Sequence, residues 1–497
     1  MDAPAPAHGN YWRQQIENAL LAPIRAMRMA YLPLLMVYFA YGATGLTAVA
    51  QTFWIKRDLT SWTPADLAAL GVWLSLPWTV KMVFGELVDT VPLLGSQRRA
   101  YVFAGAALVA VSFVLLAGAA GNWFPGVRPD VLFVVASLLT VIGVVLQDVV
   151  ADAMSTEVVP RVNADGTPRP KAEIDHDLGM VQVLGRLALS FGIFSVAGIS
   201  GWLASIVSYQ TVFLCGLLIP LVSVSGALLV SLESHEQRPT DWRILGGGIA
   251  YGAFVVLLGL SSLPGNQEIV FVVSMTVVLL MLSRIAGEIE ESTRLRMVFA
   301  AIIIFAFRCT PSVGEGYRWF TIEVLGFDEA FYGVLQQLGA TIAIVALWML
   351  SDVVTRRPVA QVLLWLTVLG FVLSLPTLGL VFRLDKVTEE WFGFGARSIA
   401  IFDAAATSPL DQLSMIPLLT LVAIYAPAGH RATWFALMAS LMNLALVAGA
   451  LLSKYLNLIF PVDRGEYGNL PALVLTAMVI SLVLPLCAVL LFGRRVR

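Results

Sequence analysis

Two acidic residues, Asp148 and Asp152, lie four positions apart in the apolar segment VLFVVASLLTVIGVVLQDVVADAM. This spacing places both carboxylates on one face of a helix. Two like charges in a low dielectric favour a shared proton. We therefore predict that the pair couples a proton to the function of the protein. A salt bridge to Arg186 would instead keep both carboxylates ionised, and the sequence favours neither interpretation.

A second set of polar residues suits the binding of an organic anion. Gln182 and Arg186 are one helical turn apart, and the fork of an arginine binds a carboxylate through two hydrogen bonds. Glu315 and Arg318 follow Arg308 by seven and ten residues, which predicts one shared helical face. A proline and two glycines interrupt this segment, and broken helices commonly line substrate sites in transporters. A network that only holds helices together is the alternative.

The segment KMVFGELVDTVPLLGSQRR predicts a gate at the cytoplasmic end of two helices. Acidic side chains at a helix end can pair with arginines across the molecule in one conformation and release them in another. The later segment ALWMLSDVVTRRP repeats this layout, with an aspartate before an arginine pair. The predicted gating residues are Lys81, Gly85, Glu86, Asp89, Arg98, Arg99, Asp352 and Arg356.

The elements that position these residues must be membrane helices. The chain has 497 residues, of which 58% are hydrophobic and 13% charged, against roughly 25% charged in soluble domains. The apolar residues form about fourteen stretches, each long enough to cross a bilayer as a helix. Continuous apolar runs exclude a membrane β-barrel, whose strands alternate. Charges inside such spans are costly unless they pair or face water, which predicts a polar central cavity.

We predict an all-α polytopic protein with two pseudo-symmetric six-helix bundles and an inserted helical hairpin. The predicted boundaries are a cytoplasmic segment 1–30, a bundle 31–231, a connector with the hairpin 232–296, a bundle 297–493 and a tail 494–497. Similar segments in both bundles indicate duplication, as in transporters that move two halves around a central site. Lys and Arg concentrate in alternate loops, which predicts that both termini are cytoplasmic.

Several classes of function have little support. A net charge of −2 without a basic stripe argues against a nucleic-acid partner. The three cysteines lie in apolar segments and the four histidines in or beside polar connectors, so the sequence predicts neither a metal nor a cofactor. No nucleophile and base occur at a spacing typical of catalysis, which argues against an enzyme. We expect a monomer whose partners are the lipid bilayer and a small molecule.

Four segments in chain order carry a family resemblance: LSLPWTVKMVFGELVDTVPLLGSQRRAYV, DVVADAMSTEVV, CTPSVGEGYRWFTIEVLGF and RATWFALMASLMNLA. They resemble the folate-biopterin transporters of the major facilitator superfamily, and the resemblance extends over most of both bundles. Asn443 is in register with that family. Glu315 stands where the family usually has Asp, Met82 replaces a proline, and Arg431 occupies a position where an acidic residue is expected.

The resemblance implies proton symport of folate, biopterin or a related pterin by alternating access, in the inner membrane of a bacterium. A pterin presents donors that suit a carboxylate, and the glutamate tail of folate presents carboxylates that suit arginine. The expected substrate-binding residues are Gln182, Arg186, Arg308, Glu315, Arg318 and Asn443, with Asp148 and Asp152 coupling protons. Transport of another organic anion, or a non-transporting assembly role in the same superfamily, are the alternatives.

Overall fold

The computed structural model describes residues 25, 27–96, 98–163, 165–229, 242–261, 263–287, 291–355, 358–424 and 431–496. Within a few helices it describes the backbone without certain side chains. Most of the predicted segment 1–30 and the gating residue Arg356 lie outside these ranges. The side chains of Gln182 and Asp352 lie outside the description as well.

The described chain is helical, in agreement with the all-α prediction. The first bundle contains α1 (Leu32–Ala43), α2 (Ala48–Asp58), α3 (Pro64–Thr79), α4 (Lys81–Thr90), α5 (Arg99–Ala120), α6 (Pro129–Glu157), α7 (Lys171–Ile206), α8 (Tyr209–Cys215) and α9 (Leu218–Leu229). The hairpin consists of α10 (Trp242–Leu260) and α11 (Asn266–Gly287). The second bundle contains α12 (Glu291–Arg308), α13 (Gly314–Glu323), α14 (Glu329–Thr355), α15 (Val359–Leu373), α16 (Leu375–Val381), α17 (Leu384–Phe392), α18 (Ala396–Ile424), α19 (Arg431–Ile459) and α20 (Leu470–Phe492).

Eleven stretches of the described residues are long and apolar enough to cross a membrane. They match eleven of the fourteen expected spans. The other three expected spans correspond to α10, whose apolar part is shorter, to the broken pair α12 and α13, and to α18. These three segments run through the same helical assembly, which agrees with an inserted hairpin and two bundles.

Local sequence explains where several helices begin and break. The Thr63 hydroxyl accepts from the backbone N–H of Asp66, whose carboxylate accepts from the Thr63 N–H, so α3 begins with a capping box. Val80 leaves helical geometry and separates α3 from α4. Pro311 separates α12 from α13, and Gly314 begins α13 with a φ of +71°, a conformation that favours glycine. These breaks lie beside the charged residues of the spans.

The bundles meet through two helix pairs, α3 with α19 and α7 with α14. The hairpin lies against this junction, because α10 packs on α4 and α11 packs on α19. Lys454 of α19 donates to Gln267 at 2.7 Å and to Glu268 at 2.8 Å. These contacts hold the polar first turn of α11 against α19.

Candidate functional site

Two opposite sides of the molecule are needed as landmarks. The side at which α4 connects to α5 is called the Arg98 side. The side at which α19 connects to α20 is called the Arg464 side. The candidate site lies between them, where the broken helices of both bundles carry charged side chains.

The first bundle contributes a lysine held by two aspartates. Lys81 Nζ donates to Asp148 Oδ2 at 2.6 Å and to Asp152 Oδ2 at 2.5 Å. Tyr38 Oη donates to the other oxygen of Asp152 at 2.6 Å. The side chain of Asp152 is 49% exposed and that of Asp148 10% exposed. The aspartates therefore share one face of α6, as the spacing predicts, and that face is open to solvent at Asp152.

The cation that binds both carboxylates is Lys81 and not Arg186. Lys81 was expected in a gate, but the break at Val80 makes it the first residue of α4, which packs against α6. Arg186 of α7 is exposed and acts electrostatically on Asp148 without an ion pair among the described side chains. The Arg186 guanidinium thus remains open to a ligand, while Lys81 neutralises one of the two carboxylate charges.

An aromatic wall adjoins this cluster. The rings of Tyr41 and Trp78 stack with centroids 5.7 Å apart and planes 26° from parallel. Asn443 of α19 donates to the backbone carbonyl of Trp78 at 3.1 Å, so this predicted binding residue joins the two bundles. A flat heteroaromatic ring stacks favourably on such a surface.

The second bundle contributes residues on both sides of a helix break. Arg308 is the last residue of α12, and Glu315 follows the start of α13. The expectation of one helical face for Arg308, Glu315 and Arg318 was wrong, since the unwound residues 309–313 remove the regular offset. Glu315 pairs with Arg318 at 3.2 Å, and the Arg318 side chain is 52% exposed. Arg308 Nη1 lies 2.9 Å from Met415 Sδ.

The predicted gate at the Arg98 side is an ion-pair cluster within the first bundle. Arg98 Nη2 donates to Asp89 at 2.8 Å and to Glu157 at 2.6 Å, and Nη1 donates to the Val88 carbonyl at 3.1 Å. The Arg98 side chain is only 5% exposed. Pairing across to the second bundle was expected, but here Arg98 fastens the ends of α4 and α6, which pack against each other.

Three other predicted gating residues flank this cluster. Arg99 lies over the Phe103 ring at 5.6 Å and makes no contact with Asp89 or Glu157 among the contacts described. Gly85 has open space where a side chain would begin. Glu86 accepts from the Thr90 hydroxyl through its backbone carbonyl at 2.7 Å. The structure therefore gives Arg98 and Asp89 a direct ion pair, whereas Gly85 and Glu86 lie on the adjoining turn of α4.

The Arg464 side is closed by contacts between bundles that the sequence reasoning missed. Arg464 donates to five backbone carbonyls around the end of α2, those of Ile55, Lys56, Leu59, Thr60 and Trp62, at 2.8–3.3 Å. Burial lowers the pKa of the Arg464 guanidinium, and the neighbouring Asp463 partly offsets this. The only sequence signal was an arginine beside a glycine in a short connector.

Two further contacts reinforce this closure. Lys56 of the first bundle pairs with Glu323 of the second at 2.8 Å. Gly201 of α7 and Gly333 of α14 meet backbone to backbone, so that a Cβ at residue 201 would lie 2.4 Å from Gly333 Cα. Only glycine permits that approach. The described bundles are therefore sealed together at the Arg464 side.

Comparisons with known proteins agree with this architecture. The profile of the BT1 family matches residues 42–496. The chain is 26% identical over 465 residues to the folate-biopterin transporter of Synechocystis sp., covering 92% of this chain and 80% of that protein. It is 24% identical over 490 residues to the probable folate-biopterin transporter 2 of Arabidopsis thaliana, covering 95% and 85%.

A solved structure of a POT family transporter in complex with 5-aminolevulinic acid superposes with a TM-score of 0.65. The match covers 94% of this chain and 96% of that chain at 13% sequence identity. Identity at this level carries information about the fold alone. The likeness confirms the predicted major facilitator fold.

Proposed function

The chain belongs to the BT1 family, and from that premise we propose that it moves folate, biopterin or a related pterin across the membrane by proton symport. The class of protein is established: the chain is a multi-pass membrane transporter of a small molecule and not an enzyme. The substrate, the coupled proton and the alternating cycle are the proposal.

The observation that carries the proposal is the presence of exposed charged side chains on helices of both apolar bundles. Asp152, near the end of its apolar span, is 49% exposed, and Arg318 of α13 is 52% exposed. Charged side chains within a membrane protein are tolerated where they face a water-filled cavity. We propose such a cavity between the bundles, with carboxylates from α6 and arginines from α7 and α13, a set that suits a ligand with both hydrogen-bond donors and carboxylates.

Folate and its relatives combine these features. The donor edge of the pterin ring pairs with Asp152, and the ring stacks on Tyr41 and Trp78. The glutamate carboxylates of folate bind Arg186 and Arg318, whose forked guanidinium groups hold a carboxylate through two hydrogen bonds. The relatives named as folate-biopterin transporters support this substrate class.

The distribution of contacts supports the proposal of alternating access. Lys56, Glu323 and Arg464 join the bundles at one side, whereas the Arg98 cluster stays within the first bundle. We propose that the described conformation is closed at the Arg464 side and opens at the Arg98 side, which the Lys and Arg distribution assigns to the cytoplasm. The protein acts as a monomer in a bacterial inner membrane.

The test is uptake of radiolabelled folic acid into proteoliposomes, with and without an inward proton gradient and with unlabelled biopterin as competitor. Uptake that depends on the gradient and falls at least tenfold in Arg186→Ala supports the proposal, since loss of one bidentate contact costs about 1.5–3 kcal/mol. Arg128→Ala is the matched control, because Arg128 is 75% exposed and distant from the cluster. Absence of uptake by correctly inserted protein refutes the substrate assignment.

A further inference from the structure

A second polar region lies inside the second bundle. A cavity of about 440 Å³ lies among α12, α15, α18 and α20 and reaches the unwound residues 309–313. Hydroxyl groups are prominent in its lining, which includes Thr310, Ser374, Thr407, Ser408, Ser414 and Ser481. Hydroxyls both donate and accept hydrogen bonds, so these side chains are able to bind water beside the apolar part of the lining.

A carboxylate lies one helical turn from the wall of this cavity, outside its lining. Asp403 lies one helical turn before Thr407 on α18, and the Thr407 hydroxyl donates to the Asp403 carbonyl at 2.8 Å. The carboxylate of Asp403 is half-buried and accepts from the Thr377 hydroxyl at 3.1 Å. Tyr317 of α13 lies close to the same threonine. Asp403 therefore faces neutral hydroxyl groups.

The ionisable groups of the neighbouring helices are engaged elsewhere. Glu315 and Arg318 of α13 pair with each other, and Glu329 of α14 accepts from a tyrosine of the first bundle. On α19, Lys454 pairs with the hairpin. On α17, Asp385 pairs with Arg383, while Lys386, Glu389 and Glu390 make no ion pair with Asp403. Arg308 of α12 contacts Met415 and Met442, and α15 and α16 carry no charged residue.

Asp403 thus differs from the aspartates of the first bundle. Asp148 and Asp152 contact the ammonium group of Lys81 at 2.6 and 2.5 Å. Among the described side chains, Asp403 has no cationic partner. A half-buried carboxylate without a counter-charge changes its protonation state more readily than one held by a lysine.

We propose that Asp403 is the carboxylate that takes up and releases the coupled proton, through water in the hydroxyl-lined cavity. This inference rests on the proposed proton symport. A proton from water adds to a carboxylate oxygen of Asp403, and the same proton returns to water on the other side of the cycle; no other bond changes. The Lys81 cluster then serves to bind the substrate, so that substrate binding belongs to the first bundle and proton binding to the second.

Asp403→Asn tests the assignment, because it keeps the shape and removes the titration. Two activities of purified protein in liposomes are compared: accumulation of radiolabelled folic acid driven by a proton gradient, and exchange of internal for external folic acid without a gradient. We expect accumulation to fall at least tenfold and exchange to stay within twofold. Glu390→Gln, on the exposed surface of α17, makes the same chemical change as a control.

Two outcomes overturn the assignment. Full gradient-driven accumulation by Asp403→Asn shows that the proton binds elsewhere, and equal loss of exchange and accumulation shows a structural role. Where Asp403→Asn fails to insert, Thr377→Val replaces it. That change removes a donor to the ionised carboxylate, so the midpoint of the uptake pH profile shifts to higher pH; an unchanged profile contradicts the proposal.

The failure of this inference is distinguishable from failure of the proposed function. If the unaltered protein takes up no pterin, or takes it up without regard to the gradient, the symport proposal falls and this assignment with it. If the unaltered protein is gradient-dependent and Asp403→Asn equally so, only the assignment of Asp403 falls.

Discussion

Arg464 offers a direct test of the closure between the bundles. Its five hydrogen bonds run from one guanidinium to backbone carbonyls at the end of α2, and three of them are 3.0 Å or shorter. A hydrogen bond to a charged group contributes about 1.5–3 kcal/mol. The Arg464 side chain is 17% exposed, so in Arg464→Ala water replaces some of these hydrogen bonds. If two of them are not replaced, the closed conformation loses about 3 kcal/mol of stability relative to the open one.

That loss changes the ratio of closed to open conformations about 100-fold, since 1.4 kcal/mol corresponds to a factor of ten. The assay is alkylation of a cysteine placed at Thr52, which lies beneath the closure on α2 and contacts Arg318. Cys215 and Cys487 are replaced by serine to lower the background. We expect an impermeant reagent, applied from the Arg464 side, to label Arg464→Ala at least tenfold faster than the unaltered protein.

The control is Arg128→Ala, which alters an arginine of the first bundle. Arg128 is 75% exposed and pairs with Asp130 two residues away, a type of surface pair that contributes little. Its labelling rate should equal that of the unaltered protein. If Arg464→Ala labels at that same rate, the five hydrogen bonds do not hold the bundles together and the reasoning is refuted.

Three further predictions concern other contacts. Gly201→Val should abolish uptake, because a side chain at that position overlaps Gly333 and prevents closure. The cysteine at position 52 should then be alkylated rapidly under all conditions; normal uptake contradicts this. Lys81→Met should lower the affinity for folic acid at least tenfold in equilibrium binding, because two carboxylates lose their shared cation; unchanged affinity excludes the lysine from the site. Glu268→Gln should lower the melting temperature in detergent by weakening the pair with Lys454, at a cost of about 1–3 kcal/mol; an unchanged temperature shows that the pair is dispensable.

The sequence predicted the fold well because hydrophobicity over twenty residues is a local property. The length and polarity of each span can be read from its own residues. The helix break at Pro311 is predicted by the proline itself, which lacks a backbone N–H. The shared face of Asp148 and Asp152 was predicted for the same reason, since four residues are one turn within a continuous helix. The prediction that Arg308 and Glu315 share one helical face was wrong, because the helix is interrupted between them.

The choice of partners depended on packing between distant segments. Lys81 was assigned to a gate because it precedes Asp89 in the chain, but the packing of α4 on α6 brings it to Asp148. The sequence likewise does not reveal that α11 lies beside α19, where Glu268 pairs with Lys454. In both cases the partner comes from a helix whose neighbours only the assembly defines.

The amino-acid sequence by itself determined that the chain is an all-α membrane protein and which apolar segments carry charge, because the cost of burying a charge in lipid acts on each segment separately. Only the tertiary structure decided that Lys81 binds two aspartates, that Arg464 caps α2 across the bundles and that Asp403 faces hydroxyls. Hydrogen bonds and ion pairs act within a few ångströms, so their partners exist only once the helices have packed.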